Sequence, residues 1–107
     1  MPTRILTVLT FAAMLLASSP VLRAESNGEE LLEMMRSDAG REVAQTFIDD
    51  VWQKWNEGLF CLPPGDRQQL SFDAVLSYLE THPELLFRPR RYLIVQGLRA
   101  AYPCSTG

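Results

Sequence analysis

The sequence predicts an all-α protein, a small bundle of about four helices with one disulfide. Three observations carry that prediction. Apolar residues recur at steps of three and four in successive segments, clusters of glycine and proline separate those segments, and no stretch alternates as a half-buried strand would. Short connections between amphipathic helices favour antiparallel packing around one core.

The organisation read from the chain is an export leader over residues 1–24 and a helical domain over residues 25–107. Arg4 supplies a positive start, Ile5 to Ala17 is a run of 13 residues without charge, and Ser18-Ser19-Pro20 breaks it before Ala24. That is the layout of a secretory signal peptide. Roughly 20 apolar residues are needed to span a bilayer as a helix, so the run is too short for an anchor. Cleavage is expected after Ala24, although Leu22 is bulky for the third position before the cut. A cleaved, soluble and exported protein with no membrane partner is the expectation.

The first helix is predicted from about Gly28 to Arg36. Ser26 and Asn27 are capping residues followed three places later by glutamates, and Leu31, Leu32, Met34 and Met35 supply an apolar face. Ser37-Asp38-Ala39-Gly40 reads as a turn. Val43, Ala44, Phe47, Ile48, Val51, Trp52 and Trp55 then form the stripe of a second helix near Arg41 to Trp55. Burial in the core or at a contact between copies is the natural use of both tryptophans.

Asn56-Glu57-Gly58 ends that helix, and the stretch Phe60-Cys61-Leu62-Pro63-Pro64-Gly65 forbids another until Asp66 and Gln69 restart one. Phe72, Val75, Leu76 and Leu79 line the third helix, with Tyr78 at its flank. Thr81-His82-Pro83 stops it, since proline is tolerated at a first helical position and not in an interior. His82 reads as a structural residue beside that break. The fourth element carries Leu85, Leu86 and Phe87, then Tyr92 to Tyr102, and Pro89 is expected to kink it or split it in two. Gly97 leaves room for another helix to approach closely.

Two cysteines, Cys61 and Cys104, permit one pairing. Export to an oxidising compartment favours that disulfide, which would tie the end of the fourth helix to the loop between the second and third. The rivals are a thiol nucleophile paired with His82 and a metal site. Neither has its remaining partners: no third catalytic group is identifiable, and two cysteines with one histidine lack a fourth zinc ligand and any Cys-x-x-Cys spacing. No metal, cofactor or catalytic residue is predicted, and with no phosphate loop or ordered Ser-His-Asp set the chain does not read as an enzyme.

Charge is lopsided. Glu25 to Glu57 holds nine acids against Arg36, Arg41 and Lys54, whereas the chain from Gly58 onward holds four acids against five arginines. The net negative charge of the domain argues against nucleic acid as a partner, since phosphate binding needs a basic face. Solvated helix surface accounts for the acidic half, with an acidic patch for a basic partner as the sharper reading.

Three elements together carry a resemblance: Cys61-Leu62-Pro63-Pro64-Gly65, Leu76 through Glu84 with its Tyr78-Leu79-Glu80-Thr81-His82-Pro83-Glu84 core, and Gly97 through Cys104 ending in Tyr102-Pro103-Cys104. In order and spacing they resemble the type VI secretion amidase immunity proteins, the Tai family, over the second half of the chain. Gly28-Glu29-Glu30-Leu31-Leu32 is similar to the family's first helix. The family pattern departs further on: its cysteines near Met35 and Ala44, and its glycines near Thr46 and Asp50, are absent here. The resemblance implies a small helical periplasmic protein, often a homodimer, that binds and blocks a peptidoglycan-cleaving thiol amidase without chemistry of its own.

Two surfaces are candidates for blocking such a partner. The loop Glu57 to Asp66 places Leu59, Phe60, Leu62, Pro63 and Pro64 on a segment preorganised by proline and a disulfide, which lowers the ordering cost of binding. Its plain alternative is that Leu59, Phe60 and Leu62 cover the end of the bundle. Arg88, Arg90 and Arg91 around Pro89 form the second candidate, suited to bidentate carboxylate pairing, against the plain alternative of solvated charge. A different function class also fits a small acidic helical protein with one disulfide: a periplasmic acid-stress chaperone that opens when its carboxylates protonate.

Overall fold

A computed structural model of the protein describes residues 26–105. The leader and its cleavage after Ala24 lie outside the described residues. Four α-helices and one 3-10 turn form among the described residues, with no strand: α1, Gly28–Arg36; α2, Arg41–Trp55; the 3-10 turn, Pro83–Leu85, following α3, Arg67–Thr81; and α4, Arg90–Ala101.

Each helix starts and stops for a local reason. Asn27 caps α1, its Oδ1 accepting from the Glu30 amide at 3.1 Å, and Asp66 caps α3 in the same way through the Gln69 amide at 3.2 Å. Glu29 and Glu30 occupy the first turn of α1 and Arg36 its last, the arrangement that the helix dipole favours. Pro89 divides the fourth segment, leaving the 3-10 turn before it and α4 after it.

The core draws on every helix. Leu31, Leu32 and Met35 of α1 meet Ala44, Ile48 and Val51 of α2, Phe72, Val75 and Leu79 of α3, and Leu93, Ile94 and Leu98 of α4. Met35 and Ala44, near which the pattern of the resembled family places cysteines, are both buried apolar residues here. Fully burying side chains of this size contributes about 1.5–3 kcal/mol each before conformational entropy is subtracted. The most extensive helix–helix contact joins α3 to α4, and Gly97 makes their close approach feasible. A methyl group there would lie 3.1 Å from Tyr78 Cβ and 3.3 Å from Val75 Cα.

A polar clamp joins α2 to α3. The Asp49 carboxylate accepts from Gln45 Nε2, Trp52 Nε1 and Gln68 Nε2, each at 2.8 Å, so three donors from two helices converge on one side chain. The predicted apolar stripe of α2 is narrower in the structure than in the sequence. Ala44, Ile48 and Val51 are its buried centre, whereas Val43 and Trp55 are exposed. Val43 falls at the edge of the face and Trp55 on the last turn, where the Lys54 ammonium lies 5.4 Å from its ring centroid.

Candidate functional site

The two surfaces singled out in the sequence sit at opposite ends of α4. Twelve helical residues separate them, a span of about 18 Å at 1.5 Å per residue.

At the C-terminal end, Cys61 and Cys104 form a disulfide across a sequence separation of 43. Both thiols are consumed in it, which removes the nucleophile and metal-ligand readings of either cysteine. The loop around Cys61 is braced on every side. Cys61 N–H donates to Tyr102 O at 2.8 Å, Asn56 Oδ1 accepts from the Leu62 amide at 2.8 Å, and Glu57 N–H donates to Phe60 O at 2.6 Å. Closing the turn holds Glu57 at φ 73°, in the left-handed region that costs a residue with a Cβ roughly 1–2 kcal/mol. Arg67 completes the brace, its guanidinium donating to Pro63 O at 3.2 Å and Leu62 O at 3.4 Å.

This bracing turns Phe60 and Leu62 inward. Phe60 is 0% exposed and Leu62 4%, both in the core, so neither side chain is on offer at the surface of this fold. The plain reading of those two residues, closure of the bundle's end, describes their position. Leu59, Pro63 and Pro64 remain exposed. Beside the disulfide runs a shallow groove lined by Leu59, Tyr78, Gln96, Arg99, Ala100 and Pro103. His82 lies outside it as the residue that terminates α3, with its ring stacked on Tyr78 at 4.1 Å between centroids and Nδ1 2.9 Å from Tyr78 O.

The N-terminal end of α4 is held differently. The segment before α1 runs antiparallel to the segment around Pro89, with Gly28 N–H donating to Arg88 O at 3.0 Å, Glu29 N–H to Leu86 O at 3.2 Å, and Arg90 N–H to Ser26 O at 3.1 Å. Gly28 permits this contact, because a methyl there would strike Leu93 Cδ1 and lie 3.0 Å from Leu86 O.

The three arginines then part company. Arg90 is half-buried with its guanidinium 3.7 Å from the Phe47 ring centroid, a stacked, structural placement. Arg88 and Arg91 are exposed. Arg88 spans two rings, 4.5 Å from the Tyr92 centroid and 5.8 Å from that of Phe87. Phe87, expected to continue the apolar pattern of the fourth element, is 72% exposed. The break at Pro89 explains it: Leu85 and Leu86 pack against the core while Phe87 turns outward. Arg36 with Glu80 is the one ion pair among the described residues, so none of Arg88, Arg90 and Arg91 is neutralised by a carboxylate there.

A family model for the Rap1a immunity proteins matches residues 27–104, from the α1 cap to the second cysteine. The chain belongs to the Rap1a immunity protein family. No curated protein and no solved structure matches it. Family match and motif resemblance meet at the level of an immunity protein, the match naming the Rap1a family where the motifs resembled the Tai family. The matched span coincides with the folded unit of this Rap1a family member. Among its described residues no group of three or more histidine, cysteine, aspartate or glutamate side chains is placed to hold a metal ion, and no helix is long and apolar enough to cross a membrane.

Proposed function

We propose that the protein is a periplasmic immunity protein of a type VI secretion system, exported through a leader cleaved after Ala24, that binds and blocks a peptidoglycan-cleaving amidase effector. The observation that carries this reading is the Rap1a immunity family match over residues 27–104. The three C-terminal motifs, which resemble those of amidase immunity proteins, supply the target class. The mechanism asks for no catalysis by this chain: a rigid surface occupies the partner's substrate groove and excludes water and peptidoglycan.

Rigidity is what the fold offers to such a mechanism. Both ends of α4 are fixed before any partner arrives, one by the disulfide and one by backbone hydrogen bonds, so the ordering cost of binding is small. The exposed candidates for contact are Leu59, Pro63 and Pro64 at the first end and Arg88 and Arg91 at the second. A second copy of the chain is the expected supplement to a domain of this size, whose core is modest.

The test is capture followed by inhibition. The oxidised domain, Glu25 to Gly107, serves as bait for periplasmic and secreted proteins, and any thiol-type amidase retained is then assayed on purified peptidoglycan. Stoichiometric inhibition is the expected result. Retention of many unfolded clients at low pH, with no amidase inhibited at neutral pH, would instead identify an acid-stress chaperone.

A further inference from the structure

We infer that the patch formed by Phe87, Arg88, Arg91 and Tyr92 is the principal docking surface for the effector, and that it receives an acidic segment of that protein. The inference rests on the immunity reading above and adds to it the contact residues and the chemistry of what they meet.

Exposure is the first support. Phe87 is the most exposed large apolar side chain of the protein's described residues at 72%, and Tyr92 is 38% exposed on the following helix. Tyrosine and arginine are among the residues that dominate binding energy at protein interfaces, and phenylalanine is enriched there with them. The geometry is also preset. Arg88 lies within cation–π range of both rings, which orders its guanidinium, and the residue is exposed. Such a fork presents parallel N–H groups to a carboxylate at little further entropic cost.

Charge identifies the occupant. Arg88, Arg90 and Arg91 fall within four consecutive positions, and α4 has no acidic residue in its first turn. Cations at a helix start oppose the helix dipole, so α4 itself adds to the positive potential here instead of offsetting it. The neighbouring carboxylates, Glu84 on the 3-10 turn and Glu29 on α1, make no ion pair with these arginines. An incoming Asp or Glu would satisfy the guanidinium donors and relieve that potential together. Arg90, spent on Phe47, contributes its charge and not its fork.

The stapled end competes poorly for this role. Its two most apolar loop residues, Phe60 and Leu62, are in the core, and the arginine nearest the loop, Arg67, already donates to loop carbonyls.

Calorimetric titration of the oxidised domain against the thiol-type amidase it captures tests the inference. If the wild-type protein binds no such amidase, the immunity reading falls and this inference falls with it. Given wild-type binding, R88E/R91E is expected to weaken affinity by at least about 30-fold, the range of interface hot spots. R88Q and F87A, milder changes at exposed positions, are expected to weaken it by about 10-fold each. R99E, the same charge change at the opposite end of α4, should alter affinity by less than about 2-fold. Rising salt should weaken wild-type binding more than that of R88E/R91E. Affinity retained in R88E/R91E and F87A, with loss in R99E, would overturn the inference while leaving the immunity reading intact. So would a change confined to self-association in sedimentation, which would make a second copy the occupant.

Discussion

The two ends of α4 are written in similar sequence. One reads Leu59-Phe60-Cys61-Leu62-Pro63-Pro64, the other Leu85-Leu86-Phe87-Arg88-Pro89-Arg90, and each joins apolar residues to proline. Their outcomes are opposite. Phe60 is 0% exposed at the disulfide end, and Phe87 is 72% exposed at the other. Proline stops a helix in both places, but it does not decide where the adjacent aromatic goes. At Phe60 the chain is pulled against the bundle by the disulfide and by hydrogen bonds from Cys61, Leu62 and Glu57. At Phe87 the backbone is equally well satisfied, by Gly28, Glu29 and Ser26, yet Leu85 and Leu86 already fill the space on the core side. An apolar residue is buried when a cavity remains for it, and local sequence does not count cavities.

Four variants would break or sharpen that contrast, and the largest effect belongs to Phe60. Phe60→Ala should destabilise the fold by about 3–5 kcal/mol, as loss of a buried ring does. Urea denaturation measures it, and a cost below 1 kcal/mol would mean that the loop ring is not a core residue. Replacing both cysteines with serine comes next, at roughly 2–4 kcal/mol for a loop of this length. If thermal unfolding were insensitive to that change, hydrogen bonds alone would suffice to seat the loop.

Gly28→Ala probes the other end. The added methyl would displace Leu93 or part the segment from Leu86, at a cost of about 1–3 kcal/mol. Full stability in this variant would show that the Pro89 end yields without loss. Smallest of all is Phe87→Ala, expected to shift stability by no more than about 0.5 kcal/mol because the ring is mostly in solvent. The pairing of Phe60→Ala with Phe87→Ala is the direct comparison: one should lose folding and the other only partner affinity.

Much of the fold was legible because helix grammar is local. Asn27 and Asp66 cap the helices that their spacing to Glu30 and Gln69 announces, Pro83 and Pro89 divide the last segment, and Gly97 marks the close crossing of α3 with α4. The disulfide followed from there being one possible pair. Less was legible at the surface. Val43 and Trp55 share the periodicity of the α2 stripe but are exposed, Phe60 took the plainer of its two readings, and Phe87 left the apolar pattern of the fourth element for solvent. The division of labour among the arginines was also hidden, because the ring that holds Arg90 belongs to α2, 43 positions away in sequence. The signal for Phe87 was present as an apolar residue on a short segment between Pro83 and Pro89.

The unequal fastening of α4 also sets a direction for its opening. Its last turn is covalently anchored next to Cys104, while its first turn depends on hydrogen bonds to Ser26 and Gly28. The hydrogen-bonded first turn is therefore expected to open before the covalently anchored last one, and amide hydrogen exchange should be graded from Arg90 toward Leu98. A ligand seated on Arg88 and Tyr92 would press on the end that opens first, so protection of the early α4 amides would report its arrival without any label.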